Sequence, residues 1–252
     1  MTATKGTTID LYGMGSPNVY KVAIMLEEVA LPYRMHYVDV FAGQQFDPGF
    51  LAISPTARVP AIVDPAADSG EPLALCESGA ILIYLAEKTG RLLPGTPGAR
   101  SSTMQWLMVQ MGSVGPLFGQ FMHFQFFARD NTYGRERYQA QARHLLALLD
   151  RRLGDTEFLD GMAYSIADIA TFPWVRRGLE AFPWLKPAGT EALADQHPHL
   201  ARWYRSIAGR FAVKSAIDRM APWLEKTAAS AKSATPEDLD RFLLRNAQAK
   251  PG

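Results

Sequence analysis

The chain reads as a two-domain α+β/α protein. A small mixed domain is expected over residues 7–90, a linker at 91–101, an all-helical domain at 102–222, and a C-terminal extension at 223–252 able to add one more helix. Two observations carry this prediction. Strand-like apolar runs occur only before residue 77, whereas helical spacing alone organises the apolar residues after residue 102. Between the two regimes lies LLPGTPGARSS (92–102), where two prolines and two glycines crowd a stretch without period.

The elements follow in order. TTIDLYG (7–13) is a β-prone run, and Val22, Leu26 and Val29 then recur at spacings of three and four, the period of an amphipathic helix. Tyr33, Met35 and Tyr37 alternate with Arg34 and His36 before Val38 and Val40, which predicts a half-buried second strand. Its distance from the first suits a βαβ crossover, so these two strands should be parallel. After a short helical candidate at 48–53, VPAIVD (59–64) and PLALC (72–76) flank the turn-rich PAADSGE and read as a hairpin. Ala80, Ile81, Tyr84 and Leu85 then trace a helix that Gly90 can close.

In the second domain, Met104, Leu107, Met108 and Met111 trace one helix face, and Tyr138, Ala142, Leu145, Leu149 and Leu153 another. YSIADIA (164–170) has the signature of a capping box, Ser165 with Asp168, and Tyr164 is placed to staple against Ile169. We read it as a folding device. In the extension, TPEDLDRFLLRN (235–246) predicts a final helix with Thr235 as cap and Pro236 at its first position.

Composition narrows the function. The chain has 252 residues, 48% of them hydrophobic and 20% charged, which is ordinary for a globular protein, and its net charge of +1 offers no field for nucleic acid or a membrane surface. The N-terminus has no apolar signal segment, and no run approaches the roughly 18 apolar residues that a span requires. A cytoplasmic location is expected. The single cysteine, Cys76, excludes an intrachain disulfide, a CxxC pair and a multi-cysteine zinc site within one subunit; no metal is expected. Thiol chemistry, if present, is brought in from outside.

Three motifs should meet at one end of the first domain. Ser16-Pro17-Asn18 opens the first helix, where free N–H groups and the helix dipole favour negative charge; Ser16 as N-cap with Pro17 at N1 is also a sufficient structural reason for those two residues. Asn18, with middling helix propensity and an amide donor, is less well explained by capping. Val59-Pro60 enters the third strand, a position that tolerates proline. Glu77-Ser78 begins the third helix, where both side chains also suit a cap.

Taken together in this order and spacing, VPAIVD, ESGAILIYLAEK and YSIADIA make residues 9–222 resemble a cytosolic glutathione transferase, a thioredoxin-like domain followed by a helical bundle. SPNVYK, FAGQQFDPGFLAISP and QWLMVQMGSVGPLFGQ resemble the bacterial nu class, relatives of the fungal nitrogen-regulating prion protein. The resemblance implies a homodimer that binds glutathione as co-substrate, one or two molecules per site. It implies that Val59, before a cis Pro60, offers its main chain to the cysteinyl part of glutathione, and that Glu77 and Ser78 hold the γ-glutamyl amine and carboxylate. Gln44 or Gln45 resembles the glutamine that meets the glycyl end. Arg137 resembles an arginine of the helical domain directed at a glutathione carboxylate, and an ordinary solvated charge is the alternative. The nu class carries Thr-Pro-Asn at the first turn; here Ser16 keeps the hydroxyl and Val19 replaces a common glycine. Ser16 and Asn18 are thus the candidate catalytic groups.

A free thiol has a pKa of about 8.5, so donors at a helix N-terminus are needed to raise the thiolate fraction at neutral pH. That thiolate can attack a disulfide or an electrophilic carbon. Disulfide reduction is the leading expectation; cleavage of aryl ethers of lignin fragments, and a non-catalytic binding or regulatory module, are the alternatives. A small hydrophobic or disulfide second substrate is expected near Met14 and the Met- and Phe-rich segment 111–130, against Phe118, Phe121 and Met122, although ordinary helical core also accounts for such residues. His123 reads as a pocket histidine and Cys76 as a small buried hydrophobe.

Overall fold

A computed structural model of the chain describes residues 8–67 and 70–245. Thr7, Asn246 and part of the PAADSGE turn therefore lie outside the described residues. Four strands, β1 (Ile9–Gly13), β2 (Tyr33–Tyr37), β3 (Ala61–Asp64) and β4 (Leu73–Cys76), form one sheet in the order β2-β1-β3-β4. β1 pairs parallel with β2 and antiparallel with β3, and β3 pairs antiparallel with β4. The predicted crossover and hairpin are both present. The crossover helix α1 (Pro17–Val29) is buried along most of its length and ends at Ala30 in the left-handed conformation. A 3-10 turn at Gln44–Phe46 and the short α2 (Pro48–Leu51) follow β2, and α3 (Ser78–Thr89) follows β4.

The remaining helices are α4 (Pro97–Val109), α5 (Gly115–Phe126), α6 (Thr132–Asp155), α7 (Ile166–Ala181), α8 (Thr190–Gln196), α9 (Pro198–Ala208), α10 (Phe211–Ser233) and α11 (Pro236–Phe242). α4 runs into α5 through a π-helical segment, Gln110–Val114. The buried stripe of these two segments is Thr103, Leu107, Gln110 and Val114; of the predicted face Leu107 is fully buried, Met104 and Met111 are half-buried and Met108 is exposed. Leu145, Leu149 and Leu153 of α6 are buried as predicted. The Ser165–Asp168 capping box is formed, and the Tyr164 ring packs edge-on to Phe158 beneath the Arg210 guanidinium.

Two helices run across the limits expected for the linker and the C-terminal extension. α4 begins at Pro97, inside the expected linker, because proline at N1 starts a helix as readily as it breaks one. α10 continues through Pro222 rather than ending there. The chain divides into two compact units: residues up to Ile81 join those from Ser215 onward, and Leu82–Lys214 form the helical unit, with the division inside α3. The C-terminal segment is thus part of the sheet-bearing unit. Arg219 pairs with Glu27 at 2.9 Å and stacks on the Tyr33 ring, Ser215 donates to Glu27 at 2.9 Å, and Trp223 meets Tyr37 edge-on. α11 carries the predicted Thr235 cap, reciprocated by Asp238, with Pro236 in the first turn.

Candidate active site

Strand register brings the three motifs together. β1 ends at Gly13, Ala61 lies opposite Tyr12, and Cys76 lies opposite Ala61. The turn leaving β1 (14–18), the residues entering β3 (Val59, Pro60) and those leaving β4 (Glu77, Ser78) therefore share one end of the sheet. The N-termini of α1 and α3 open at that end too, so both helix dipoles present their positive ends there.

Ser16 occupies the N-cap position of α1, with Pro17 in the first turn, yet its side chain makes no capping bond. Its carbonyl takes the Val19 and Tyr20 N–H groups at 3.0 Å, and its own N–H donates to the Met14 carbonyl at 2.8 Å. These backbone bonds form the first turn of the helix, and the Ser16 hydroxyl is not engaged in the cap. Asn18, half-buried, follows Pro17 on the same turn. The Val59–Pro60 bond is cis, as the family resemblance implies. Among the described residues, neither the N–H nor the C=O of Val59 has a backbone hydrogen-bond partner. The loop before it is tied by buried Ser54, whose hydroxyl donates to the Arg58 carbonyl at 2.8 Å.

Glu77 is exposed and sits at φ 69, in the left-handed region that disfavours a side chain; such an outlier at the mouth of a helix is the kind of local cost associated with functional sites. Ser78 is buried, and its hydroxyl accepts from the Lys21 ammonium at 3.2 Å. Lys21 is 1% exposed, and burial pulls its pKa down to about 7 against the raising influence of Glu77. Sequence reasoning missed this lysine. Gln44 is exposed and its amide oxygen takes the Asp39 N–H at 2.8 Å; Gln45 is buried, with an amide oxygen that has no hydrogen-bond partner.

The C-terminal segment reaches the same turn. The Gly15 N–H donates to the Thr227 hydroxyl at 2.9 Å, and Tyr37 lies 3.3 Å from that hydroxyl. Burial is the largest influence on the Tyr37 phenol and raises its pKa. Ser230 donates to Asp39 at 2.7 Å, which also holds the Phe41 and Ala42 N–H groups. A Cβ on Gly15 would lie 2.6 Å from the Leu224 Cα, a backbone atom that cannot swing away. Gly15→Ala is accordingly expected to cost about 1–3 kcal/mol by overpacking, and Thr227→Val a similar amount by orphaning a donor; equilibrium denaturation checks both.

Met14 is buried in a cluster with Val40 and Phe41, packed against Ala231, Leu239 and Phe242 of the C-terminal segment and against Val59. In the helical unit, Phe118 and Phe121 are buried and set edge-on to Phe182, Phe121 also lines a cavity of about 400 Å³ with Gln125, Phe126 and Pro183, and Met122 is half-buried. His123 lies between the Phe124 and Phe127 rings. Arg137 is exposed on α6, 3.5 Å from the Tyr133 hydroxyl. Half-buried Cys76 packs against a cluster of Val38, Phe50 and Ala61. Among the described residues no group of metal-ligating side chains forms, and no helix is long and apolar enough to cross a membrane.

Comparison with known proteins agrees with this geometry. Residues 15–88 match the family model of the glutathione S-transferase N-terminal domain, and residues 132–206 that of the C-terminal domain. The chain is 44% identical over 211 residues to the disulfide-bond oxidoreductase YfcG of Escherichia coli (strain K12), spanning 83% of this chain and 94% of that protein. It is 35% identical to YghU of the same organism, also a disulfide-bond oxidoreductase, spanning 82% and 73%. A glutathione transferase family member from Pseudomonas fluorescens pf-5, solved with two glutathione molecules bound, superposes with a TM-score of 0.77 at 45% identity over 85% of this chain and 94% of that one. A glutathione transferase from Pseudomonas putida, solved with one glutathione disulfide per subunit, gives 0.77 at 42% over 85% and 93%. With both family models matched in order, and with the three motifs gathered at one end of a thioredoxin-like sheet, the chain belongs to the glutathione S-transferase family.

Proposed function

We propose that this protein is a glutathione-dependent disulfide reductase that supplies no thiol of its own. The observation that carries the reading is Val59, whose main-chain N–H and C=O have no backbone partner among the described residues, at the sheet end where Ser16, Asn18, Glu77 and Ser78 meet. An extended tripeptide can pair there as an added strand does. Its γ-glutamyl ammonium then meets the Glu77 carboxylate and its carboxylate the Ser78 hydroxyl. The cysteinyl sulfur is carried to the N-terminus of α1, where the Ser16 hydroxyl and the Asn18 amide are the donors for a thiolate. Of the two glutamines, Gln45 is the one with a buried polar atom in need of a partner.

The chemistry is thiol–disulfide exchange. The bound thiolate attacks one sulfur of the substrate disulfide, the S–S bond breaks, and the departing thiolate takes a proton from solvent. A second glutathione thiolate attacks the glutathionyl sulfur of the mixed disulfide, giving glutathione disulfide and the second free thiol. Relatives solved with two glutathione molecules, or with the disulfide, are consistent with both halves. A cytoplasmic homodimer is part of the same reading.

The test is a turnover panel of a small-molecule disulfide, a reactive aryl halide and an aryl ether, each with glutathione. Glutathione disulfide should form in step with loss of the substrate disulfide. Turnover of the ether alone would make the protein a lyase, and binding of glutathione with no turnover of any substrate would make it a binding module.

A further inference from the structure

The buried lysine of α1 has no role in the chemistry above, and its placement is costly. Lys21 is 1% exposed, and an ammonium taken out of water carries a desolvation penalty that a methionine of similar volume would avoid. It lies one helical turn after Asn18, its nitrogen 3.2 Å from the Ser78 hydroxyl, at the start of a second helix whose dipole also presents positive potential. A protonated lysine has three donors and no acceptor, which fixes the direction of this bond: nitrogen gives, oxygen takes. The single Ser78 proton is thereby turned away from the lysine.

We propose that Lys21 is a positioning residue for the γ-glutamyl α-carboxylate of glutathione, orienting the Ser78 hydroxyl as a donor to that carboxylate and supplying a buried positive charge behind it. The inference rests on the glutathione reading of the site and assigns one recognition element within it. Burial lowers the pKa of Lys21 to about 7 against the opposing, raising influence of the Glu77 carboxylate, so charge can be lost within an accessible pH range. Below pH 7 the lysine is protonated and holds Ser78 as acceptor. Above it, a neutral amine accepts from Ser78 instead, and both the charge and the donor are withdrawn from the ligand.

The test uses two thiol-free probes, S-methylglutathione and its analogue with 4-aminobutyryl in place of the γ-glutamyl group, which keeps the amine and lacks the α-carboxylate. By calorimetry, Lys21→Met should weaken S-methylglutathione at least tenfold and leave the analogue within twofold of wild type. The variant should melt at the same or a higher temperature, and kcat at saturating glutathione should stay within about threefold. Equal weakening of both probes, or a fall in melting temperature with parallel loss of binding, would reduce Lys21 to a structural residue and overturn the inference. A second measurement needs no variant: between pH 6 and 8 the wild-type preference for S-methylglutathione over the analogue should decline, and a flat preference overturns the inference even if Lys21→Met does not fold. Failure of wild type to bind S-methylglutathione at all would sink the glutathione reading itself, and this inference with it; binding without carboxylate discrimination sinks only the inference.

Discussion

The Ser16→Ala, Asn18→Ala double variant is expected to lose at least a hundredfold in kcat/KM for disulfide reduction while keeping its thermal transition. Ser16 fills the N-cap position without a side-chain cap bond, and the Ser16 carbonyl, not its hydroxyl, anchors the first turn of α1. Alanine at 16 therefore leaves the backbone bonds that hold the turn in place. Stability and chemistry separate at this residue, which is seldom true of a capping serine. A hydrogen bond to a charged group contributes about 1.5–3 kcal/mol, so each donor lost from a thiolate corresponds to a factor of roughly 10 to 100. Asn18→Ala alone should cost at least tenfold. The loss has a signature in pH: with the donors gone the bound thiol returns toward its ordinary pKa of about 8.5, and the variant should recover rate as the medium is made alkaline. Unchanged kinetics would remove both residues from the mechanism, and an equal loss at every pH would argue for misplaced substrate rather than a less stable thiolate.

What the sequence disclosed about this site was local, and what it withheld was packing. Proline at a helix start, a capping box and a βαβ spacing each act within about ten residues, so the Ser16-Pro17 turn, the Ser165–Asp168 box and the parallel pairing of β1 with β2 could be read directly. The same punctuation misleads when one residue serves two purposes. Pro97 belongs to the Pro- and Gly-rich stretch expected as linker, and it starts α4. Met14, expected beside the second substrate, is buried by Phe41, Leu239 and Phe242, two of which are more than 200 residues away. Thr227 meets Gly15 across 212 positions, and no short-range pattern encodes that bond. Lys21 did leave a trace: a lysine three residues after Asn18 shares its helix face, and that face leads toward the site. The trace is legible only once α1 is known to be buried on nearly every side, because on a half-exposed helix the same lysine is an ordinary solvated charge.

Asp168→Ala is expected to destabilise the helical unit by about 4 kcal/mol or more, with loss of its cooperative transition at physiological temperature. The Asp168 carboxylate is fully buried and joins three segments. One oxygen takes the Leu159 N–H at 3.0 Å and the Trp203 indole N–H at 2.8 Å; the other takes the Ser165 N–H at 3.0 Å and the Ser165 hydroxyl at 3.2 Å. Alanine would orphan three buried N–H donors, each costing about 1–3 kcal/mol. Two opposed influences act on the carboxyl itself: burial raises its pKa and the donors lower it, and burial wins, pushing it up to about 6. The folded-state value then lies above the unfolded one, so the stabilisation is complete below about pH 4 and is lost as pH rises through 6, an effect on the order of 3 kcal/mol. Asp168→Asn isolates this behaviour. Its oxygen can keep the Leu159 and Trp203 bonds, and its amide can donate to the Ser165 hydroxyl, which is free to reverse its role; only the Ser165 N–H is left facing another donor. The variant cannot titrate, so the stability gap between it and wild type should be wider at pH 4 than at pH 7, measured by denaturant unfolding of both at each pH. A gap that narrows toward acid would mean that the four donors hold the ionised form, and that the buried charge is the state around which α7 and α9 pack.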